Sequence, residues 1–146
     1  EHSIEVQLPF LQYLVGSFLF VPIVISQQAS SVYKKIGKEL AGAVTRLKKD
    51  VIFIASSDMT HYEPEEPARQ KDKMAIDRIL ALDIDGMLNE ISKHGISMCG
   101  AAPTAVMMAA CVELGAKQAR LISYATSGET SGDHSAVVGY AGIVVY

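Results

Sequence analysis

The stretch VIFIASSD, at residues 51–58, decides the fold class. Five apolar residues, Val51 to Ala55, are followed by two serines and an aspartate. This pattern predicts a buried central strand whose carboxyl end opens into a polar loop. A second apolar run, Phe18 to Ile25, is partly β-branched and also predicts a buried strand. Strands that are apolar on both faces are typical of parallel sheets covered by helices.

Helical patterns alternate with these strands along the chain. Apolar residues at helical spacing predict helices at 3–15, 68–82, 84–93 and 104–114, and a further helix capped by Ser30 or Ser31 that ends at Leu47. Two later strands, Arg120 to Ala125 and Ala136 to Val145, flank a turn-rich connection and predict a hairpin or neighbouring strands. The sequence therefore predicts an α/β fold: a layered sheet of mostly parallel strands with flanking helices and a C-terminal antiparallel pair.

Length and composition indicate one folded unit. The chain has 146 residues, of which 49% are apolar and 20% charged, and its mean hydropathy is +0.22. These values exclude intrinsic disorder, which needs few hydrophobic residues and a high net charge. No repeat or Pro/Gly/Ser-rich linker divides the sequence, so we expect a single domain over residues 1–146.

Charge and hydropathy patterning restrict the partners and the location. Thirteen basic against sixteen acidic residues leave a net charge of −3, with no basic face for nucleic acid. Small-molecule, peptide or protein partners are therefore expected. The longest apolar run, residues 14–25, has twelve residues and is shorter than the ~20 that a membrane span requires. With no positive N-terminal region typical of a secretory signal, the expected location is cytoplasmic, and the two cysteines are expected to be reduced thiols.

Asp58 and His61 are the first candidates for catalysis. They follow the predicted central strand, and reactive groups of open α/β sheets gather at the carboxyl ends of strands. Their spacing lets a carboxylate lie beside an imidazole, where it can orient the ring or hold a proton. The alternative is a loop-capping aspartate and a surface histidine.

Cys99 is the candidate metal ligand. It precedes Gly100 and a helix that starts near Pro103, where the helix dipole favours a thiolate. A thiolate is a good soft metal ligand, although a lone cysteine in an apolar stretch is more often a small buried hydrophobe. His2 and His134 are weaker candidates for the same pocket, since a terminal histidine is usually solvated and His134 is marked only by its neighbour Asp133.

Four segments in combination resemble a known family. They are EHSIEVQLP (1–9), SSDMTHY (56–62), CGAAP (99–103), and TSG (126–128) with DHSAVVGYA (133–141). Together the sequence resembles the Memo family, also called AmmeMemoRadiSam system protein B. That family is similar in structure to the class III extradiol dioxygenases, which are non-haem iron enzymes. The resemblance thus implies an extradiol-dioxygenase-like α/β fold with a metal pocket.

The resemblance also implies roles for individual residues. Cys99 matches the metal-site cysteine of the family, and Asp58 and His61 match its pocket acid and imidazole. In the dioxygenase comparison His61 would be the general base. The two metal-site histidines of the family belong to earlier segments, and neither segment occurs in this sequence. The resemblance therefore implies that residues 1–146 are the C-terminal portion of a longer domain, and that iron or copper is bound in the complete protein.

Two functions remain open at this point. The first is a Memo-like metal-binding protein related to non-haem iron dioxygenases, with redox or oxidative chemistry in the complete protein. The second is a non-catalytic module that binds a protein or peptide through a vestigial dioxygenase pocket. Zinc-type hydrolysis has less support, because the sequence lacks a His-Glu-X-X-His helix and paired cysteine motifs. Strands built to be covered by a missing portion would expose apolar surface, so we also expect self-association.

Overall fold

The computed structural model describes residues 2–146. A 3-10 turn, Glu5–Gln7, leads into helix α1, Leu8–Val15. Pro9 is the second residue of this helix, in the first turn, where proline is tolerated. The remaining helices are α2 (Ser30–Leu47), α3 (Glu65–Leu80), α4 (Ile84–His94), α5 (Ala101–Glu113) and the short α6 (Gly128–Ser131). The strands are β1 (His61–Glu63), β2 (Ala119–Thr126) and β3 (Val137–Val145). The predicted helices are confirmed, with ends shifted by a few residues.

The strands of the described residues form a small sheet in the order β1-β3-β2. Strand β3 is central and pairs antiparallel with both neighbours. Thr126 lies opposite Gly139 and Ala119 opposite Val145, with a bulge between Leu121 and Ser123. The predicted C-terminal antiparallel pair is thus confirmed.

The prediction of a layered, mostly parallel sheet is not confirmed. Residues 18–25 and 51–55 form neither helix nor strand, and within residues 2–146 they make no backbone hydrogen bond to another backbone group. Their burial was wrongly predicted for several side chains: Leu19 is 96% exposed and Ile52 is 85% exposed. A strand exists only beside a neighbour that supplies donors and acceptors, and no described segment lies in that place. The structure is therefore a mixed α/β fold with a small antiparallel sheet and flanking helices, and the dioxygenase-like architecture stays a prediction.

Helix α5 is central to the packing and fixes one side of the site. Its residues Thr104, Ala105, Val106, Met108 and Ala110 are all buried. Helix α2 packs closely against it at Gly37, where a Cβ atom would lie 2.5 Å from the Cβ of Ala109. Small residues at this crossing let the two helices approach closely. The rest of the core is built from α3, α4 and the segment before β1, with Met59, Ile76, Ile79 and Met87 buried.

The residues at the end of α4 and at the start of α2 differ in how well the sequence predicts them. Gly95 ends α4 with a φ of 59°, which is the left-handed conformation expected of a C-terminal glycine. The prediction that Ser30 or Ser31 caps α2 is wrong, because Ala29 holds that position and makes no side-chain cap. The Ser30 hydroxyl instead donates a hydrogen bond to Asp85 at 2.5 Å.

Within residues 2–146, no helix combines the length and the apolarity needed to cross a bilayer.

Candidate metal centre

Three of the predicted site residues come together in space. Asp58, His61 and Cys99 each offer one potential ligand atom, and these three atoms all lie within 4.8 Å of one another. The Oδ2 atom of Asp58 is 3.5 Å from Nε2 of His61. We call these residues the Asp-His-Cys group. His61 is the first residue of β1, Asp58 lies three residues before this strand, and Cys99 lies just before α5.

Gly100 brings Cys99 against the segment before β1. A Cβ atom at position 100 would lie 2.4 Å from the Cβ of Ser57 and 2.5 Å from the carbonyl oxygen of Ser56. The Gly100 N–H also donates to Ser57 Oγ at 2.9 Å. Because only glycine permits this approach, the amino end of α5 sits directly on residues 56–58.

The sulfur of Cys99 lies in surroundings that suit a negative charge. Its Sγ accepts the backbone N–H of Asp58 at 3.2 Å. Cys99 also immediately precedes Gly100, the N-cap of α5, where unpaired N–H groups and the helix dipole carry a partial positive charge. Both features place hydrogen-bond donors and positive partial charge beside the sulfur.

His61 is held so that one ring nitrogen faces the group. Its Nδ1–H donates to the carbonyl oxygen of Ser97 at 2.8 Å, and its backbone N–H donates to Ser97 Oγ at 2.7 Å. A carbonyl oxygen only accepts, so Nδ1 carries the proton and the neutral ring leaves a lone pair on Nε2. This lone pair faces the Asp58 carboxylate, which also only accepts when ionised. Two acceptors in this position need either a proton or a cation between them.

The donor types in the group fit one metal ion. Bonds of roughly 2.0–2.3 Å at tetrahedral angles place two ligands of one metal about 3.3–3.8 Å apart. The three ligand atoms, which lie within 4.8 Å of one another, would therefore have to move closer together to bind one ion. A carboxylate, an imidazole and a thiolate together suit first-row transition metals rather than calcium or magnesium. The assignment of Cys99 as ligand, and of Asp58 and His61 as catalytic groups, stays a prediction.

Comparison with known proteins gives the family. A sequence model of Memo-like proteins matches residues 1–144. The chain belongs to the Memo family. A MEMO1 family protein of Methanopyrus kandleri is 47% identical over 145 residues, which cover 99% of this chain and 51% of that protein.

Other Memo relatives show the same partial coverage. A MEMO1 family protein of Ignicoccus hospitalis is 48% identical over 144 residues, or 98% of this chain and 50% of that protein. One of Methanosarcina acetivorans is 48% identical over 146 residues, or 99% of this chain and 55% of that protein. This Memo chain thus spans about half the length of the curated relatives that it matches.

A cavity of about 290 Å³ adjoins the Asp-His-Cys group of this Memo chain. Asp58 and Ser57 line it on one side, and Gln7, Ser123 and Tyr140 contribute polar atoms elsewhere. A larger cavity of about 460 Å³ lies between α2 and the end of α5, and it shares no residue with the group. Of these two cavities, the smaller one adjoins Asp58.

The structure does not bring His2 or His134 to the Asp-His-Cys group. His2 has an 86% exposed side chain, and its Nδ1 lies 2.6 Å from Oε2 of Glu5. His134 bonds through Nδ1 to Oε2 of Glu65, at the start of α3. Both histidines thus have carboxylate partners of their own.

Glu65 is the centre of a polar cluster that the sequence did not reveal. Its Oε1 accepts the Thr126 hydroxyl at 2.7 Å and the Nη2–H of Arg69 at 2.8 Å. Arg69 also donates to Glu129 at 2.8 Å. The hydrogen bond from Thr126, followed by those from Arg69 and His134, lowers the pKa of Glu65 from 4.5 to about 2. The cluster joins α3, the end of β2 and the loop before β3. Because these residues are far apart in the sequence, no local sequence pattern predicts their contacts.

Acid should therefore weaken the fold through Glu65. The pKa of Glu65 is lower in the folded state, so its contribution is complete above about pH 4.5 and is lost as the pH falls towards 2. We expect Glu65→Gln to be less stable than the wild type at pH 7, and we expect this difference to shrink by pH 3. Urea unfolding at both pH values measures it, with Glu66→Gln on the same turn as control. A stability difference that is equal at both pH values would contradict the assignment.

Proposed function

We propose that this chain is a Memo-like metal-binding protein related to the non-haem iron dioxygenases, with redox or oxidative chemistry in the complete protein. One observation supports the proposal: Asp58, His61 and Cys99 each offer a ligand atom within 4.8 Å of the other two, and His61 Nε2 lies 3.5 Å from Asp58 Oδ2. A carboxylate oxygen, an imidazole nitrogen and a sulfur in such proximity could hold a cation together.

Iron or copper is the metal that we propose for the group. Cys99 would hold it as a thiolate, and Asp58 offers a carboxylate oxygen beside it. When bound, either metal would supply one-electron redox chemistry. Both cysteines of the described residues are free, which is in keeping with the cytoplasmic location that we propose, since thiols stay reduced there.

His61 is the residue that we propose for proton transfer. Because Nδ1–H is anchored to the Ser97 carbonyl, a proton taken from a ligand would go to Nε2. The resulting imidazolium would face the Asp58 carboxylate, whose charge stabilises it. The adjoining cavity, which Asp58 lines, is where we propose that a small-molecule or peptide ligand binds.

Metal titration of the complete protein and of its cysteine variants tests the proposal. Anaerobic Fe(II) binding, and Cu(I) binding in competition with a chromophoric chelator, give the two affinities. We expect Cys99→Ala to weaken binding at least about 10-fold, since even the loss of a group that only orients a ligand costs that much. Cys111→Ala is the matched control, because its thiol packs against Met107 at 3.6 Å, outside the group. Equal affinity of the wild type and Cys99→Ala would refute the ligand assignment.

The second candidate function is a non-catalytic module that binds a protein or peptide through the same pocket. The cavity beside Asp58 favours it, because Tyr140 and Gln7 line this cavity and could contact a peptide without any metal. Consumption of a substrate by the metal-loaded complete protein would rule out this candidate.

A further inference from the structure

Asp72 is a fully buried acidic side chain on α3 that belongs to none of the groups above. Its exposed fraction is 0%. The Oδ1 atom accepts the backbone N–H of Thr60 at 2.8 Å, and Oδ2 accepts the hydroxyl of Tyr124 at 2.7 Å. Burial and the bond to Asp72 raise the pKa of Tyr124, so its hydroxyl remains a donor. Both oxygens of Asp72 thus act as acceptors.

The bond to Thr60 holds the segment that carries the Asp-His-Cys group. Thr60 lies between Asp58 and His61, and its carbonyl oxygen accepts the N–H of Gly139 at 2.9 Å. The N–H of Met59 donates to the Gly139 carbonyl, also at 2.9 Å. Strand β3 therefore holds one side of this segment. The Thr60 N–H does not donate to β3. It donates to Asp72 of α3, and this carboxyl group accepts a hydrogen bond that a neighbouring strand would otherwise accept.

The fold makes room for this carboxylate. A Cβ atom at Gly139 would lie 1.9 Å from Oδ2 of Asp72, so β3 has a glycine where α3 inserts the charge. Within residues 2–146, no lysine, arginine or histidine forms an ion pair with Asp72. A buried charge without an ion pair is costly, and packing alone would be served better by an apolar side chain. What the carboxylate provides in addition is a strong, directed bond to one backbone amide.

We propose that Asp72 is a positioning residue: its bond to the Thr60 amide fixes the segment that carries Asp58 and His61, so that both side chains face the cation that Cys99 holds. This inference rests on the proposed function. The Thr60 hydroxyl takes no part, because it is buried and has no hydrogen-bond partner within the described residues. The contact therefore acts through the backbone of Thr60, and this provides a control.

Cobalt binding to the complete protein, with each substitution made in it, tests the inference. Co(II) is the probe, because thiolate-to-cobalt charge-transfer absorption reports Cys99 and the d–d bands report the arrangement of the ligands. Relative to wild type, we expect Asp72→Asn to bind Co(II) about 10-fold more weakly, with altered d–d bands, and Asp72→Ala up to about 100-fold more weakly. Should Asp72→Ala not fold, the comparison rests on Asp72→Asn.

Two variants separate positioning from general stability. Thr60→Val removes only the unpaired hydroxyl and should bind Co(II) as the wild type does. Tyr124→Phe removes the other donor to Asp72; it should lower stability to urea but keep the affinity and the spectrum. If Tyr124→Phe weakens Co(II) binding as much as Asp72→Asn, or if Asp72→Asn binds like the wild type, the inference is wrong.

Amide hydrogen exchange separates this inference from the proposed function. Exchange at Thr60 and His61 should be faster in Asp72→Asn than in the wild type, with or without metal. If the wild type shows no thiolate-to-cobalt absorption, the proposed function fails, whatever the exchange data show. If Co(II) binds but exchange at Thr60 is unchanged in Asp72→Asn, only the positioning role of Asp72 fails.

Discussion

Gly100→Ala is expected to weaken metal binding as much as the loss of the Cys99 thiol, at least about 10-fold. It is also expected to lower the free energy of unfolding by about 1–3 kcal/mol, the usual cost of overpacking. The added Cβ would lie 2.4 Å from the Cβ of Ser57 and 2.5 Å from the Ser56 carbonyl oxygen. Neither atom can move by a rotamer change, so the amino end of α5 must shift away from residues 56–58. That shift separates Cys99 Sγ from Asp58.

Gly100→Ala tests the close contact between position 100 and residues 56–57, and not backbone strain. Gly100 has φ −98° and ψ 28°, which alanine can adopt. Fe(II) titration and urea unfolding measure the two effects in the same samples. Gly42→Ala is the control, because a Cβ there meets only Arg46 Nη1 at 3.4 Å and the helix should gain up to about 1 kcal/mol. Wild-type affinity in Gly100→Ala would show that this close approach does not build the site.

The helices and the last strand pair could be predicted from sequence because their signals are local. Helices α2 to α5 are indicated by the spacing of their own apolar residues. The pairing of β2 with β3 is indicated by the turn residues between them, so neither prediction depends on a segment far away in the sequence. The runs at 18–25 and 51–55 are different. Their composition favours buried strands, but pairing depends on a neighbouring strand, and the described residues provide none for them. An apolar run therefore predicts a tendency to form a buried strand, but it does not predict which strand pairs with it.

The candidate site divides in the same way. Asp58 and His61 lie three residues apart, and Cys99 lies before a helix with a small-residue start, so these three residues could be named in advance. The groups that fix them could not. The Ser97 partner of His61 is a backbone carbonyl, which any residue type supplies. The Asp72 partner of Thr60 is a backbone amide, and α3 meets β1 only through the tertiary fold.

The oligomeric state is where we expect the second large effect. The isolated chain should associate with copies of itself at micromolar concentration, because residues 18–25 and 51–55 combine exposed apolar side chains with unpaired backbone groups. Leu19, at 96% exposure, and Ile52, at 85%, are the side chains with most to gain from being covered. Full burial of one such side chain is worth about 1.5–3 kcal/mol.

Lysine substitutions on these segments test whether they form the contact. Leu19→Lys and Ile52→Lys should each raise the concentration for half-association about 10-fold or more, because a charge at an unpaired edge opposes strand addition. Val112→Lys, on α5 and 44% exposed in the wild type, adds the same charge outside these segments and should leave association unchanged. Light scattering over a dilution series measures all four proteins. A wild type that stays a monodisperse monomer would contradict self-association. An equal effect of Val112→Lys would mean that net charge, and not the two apolar segments, controls it.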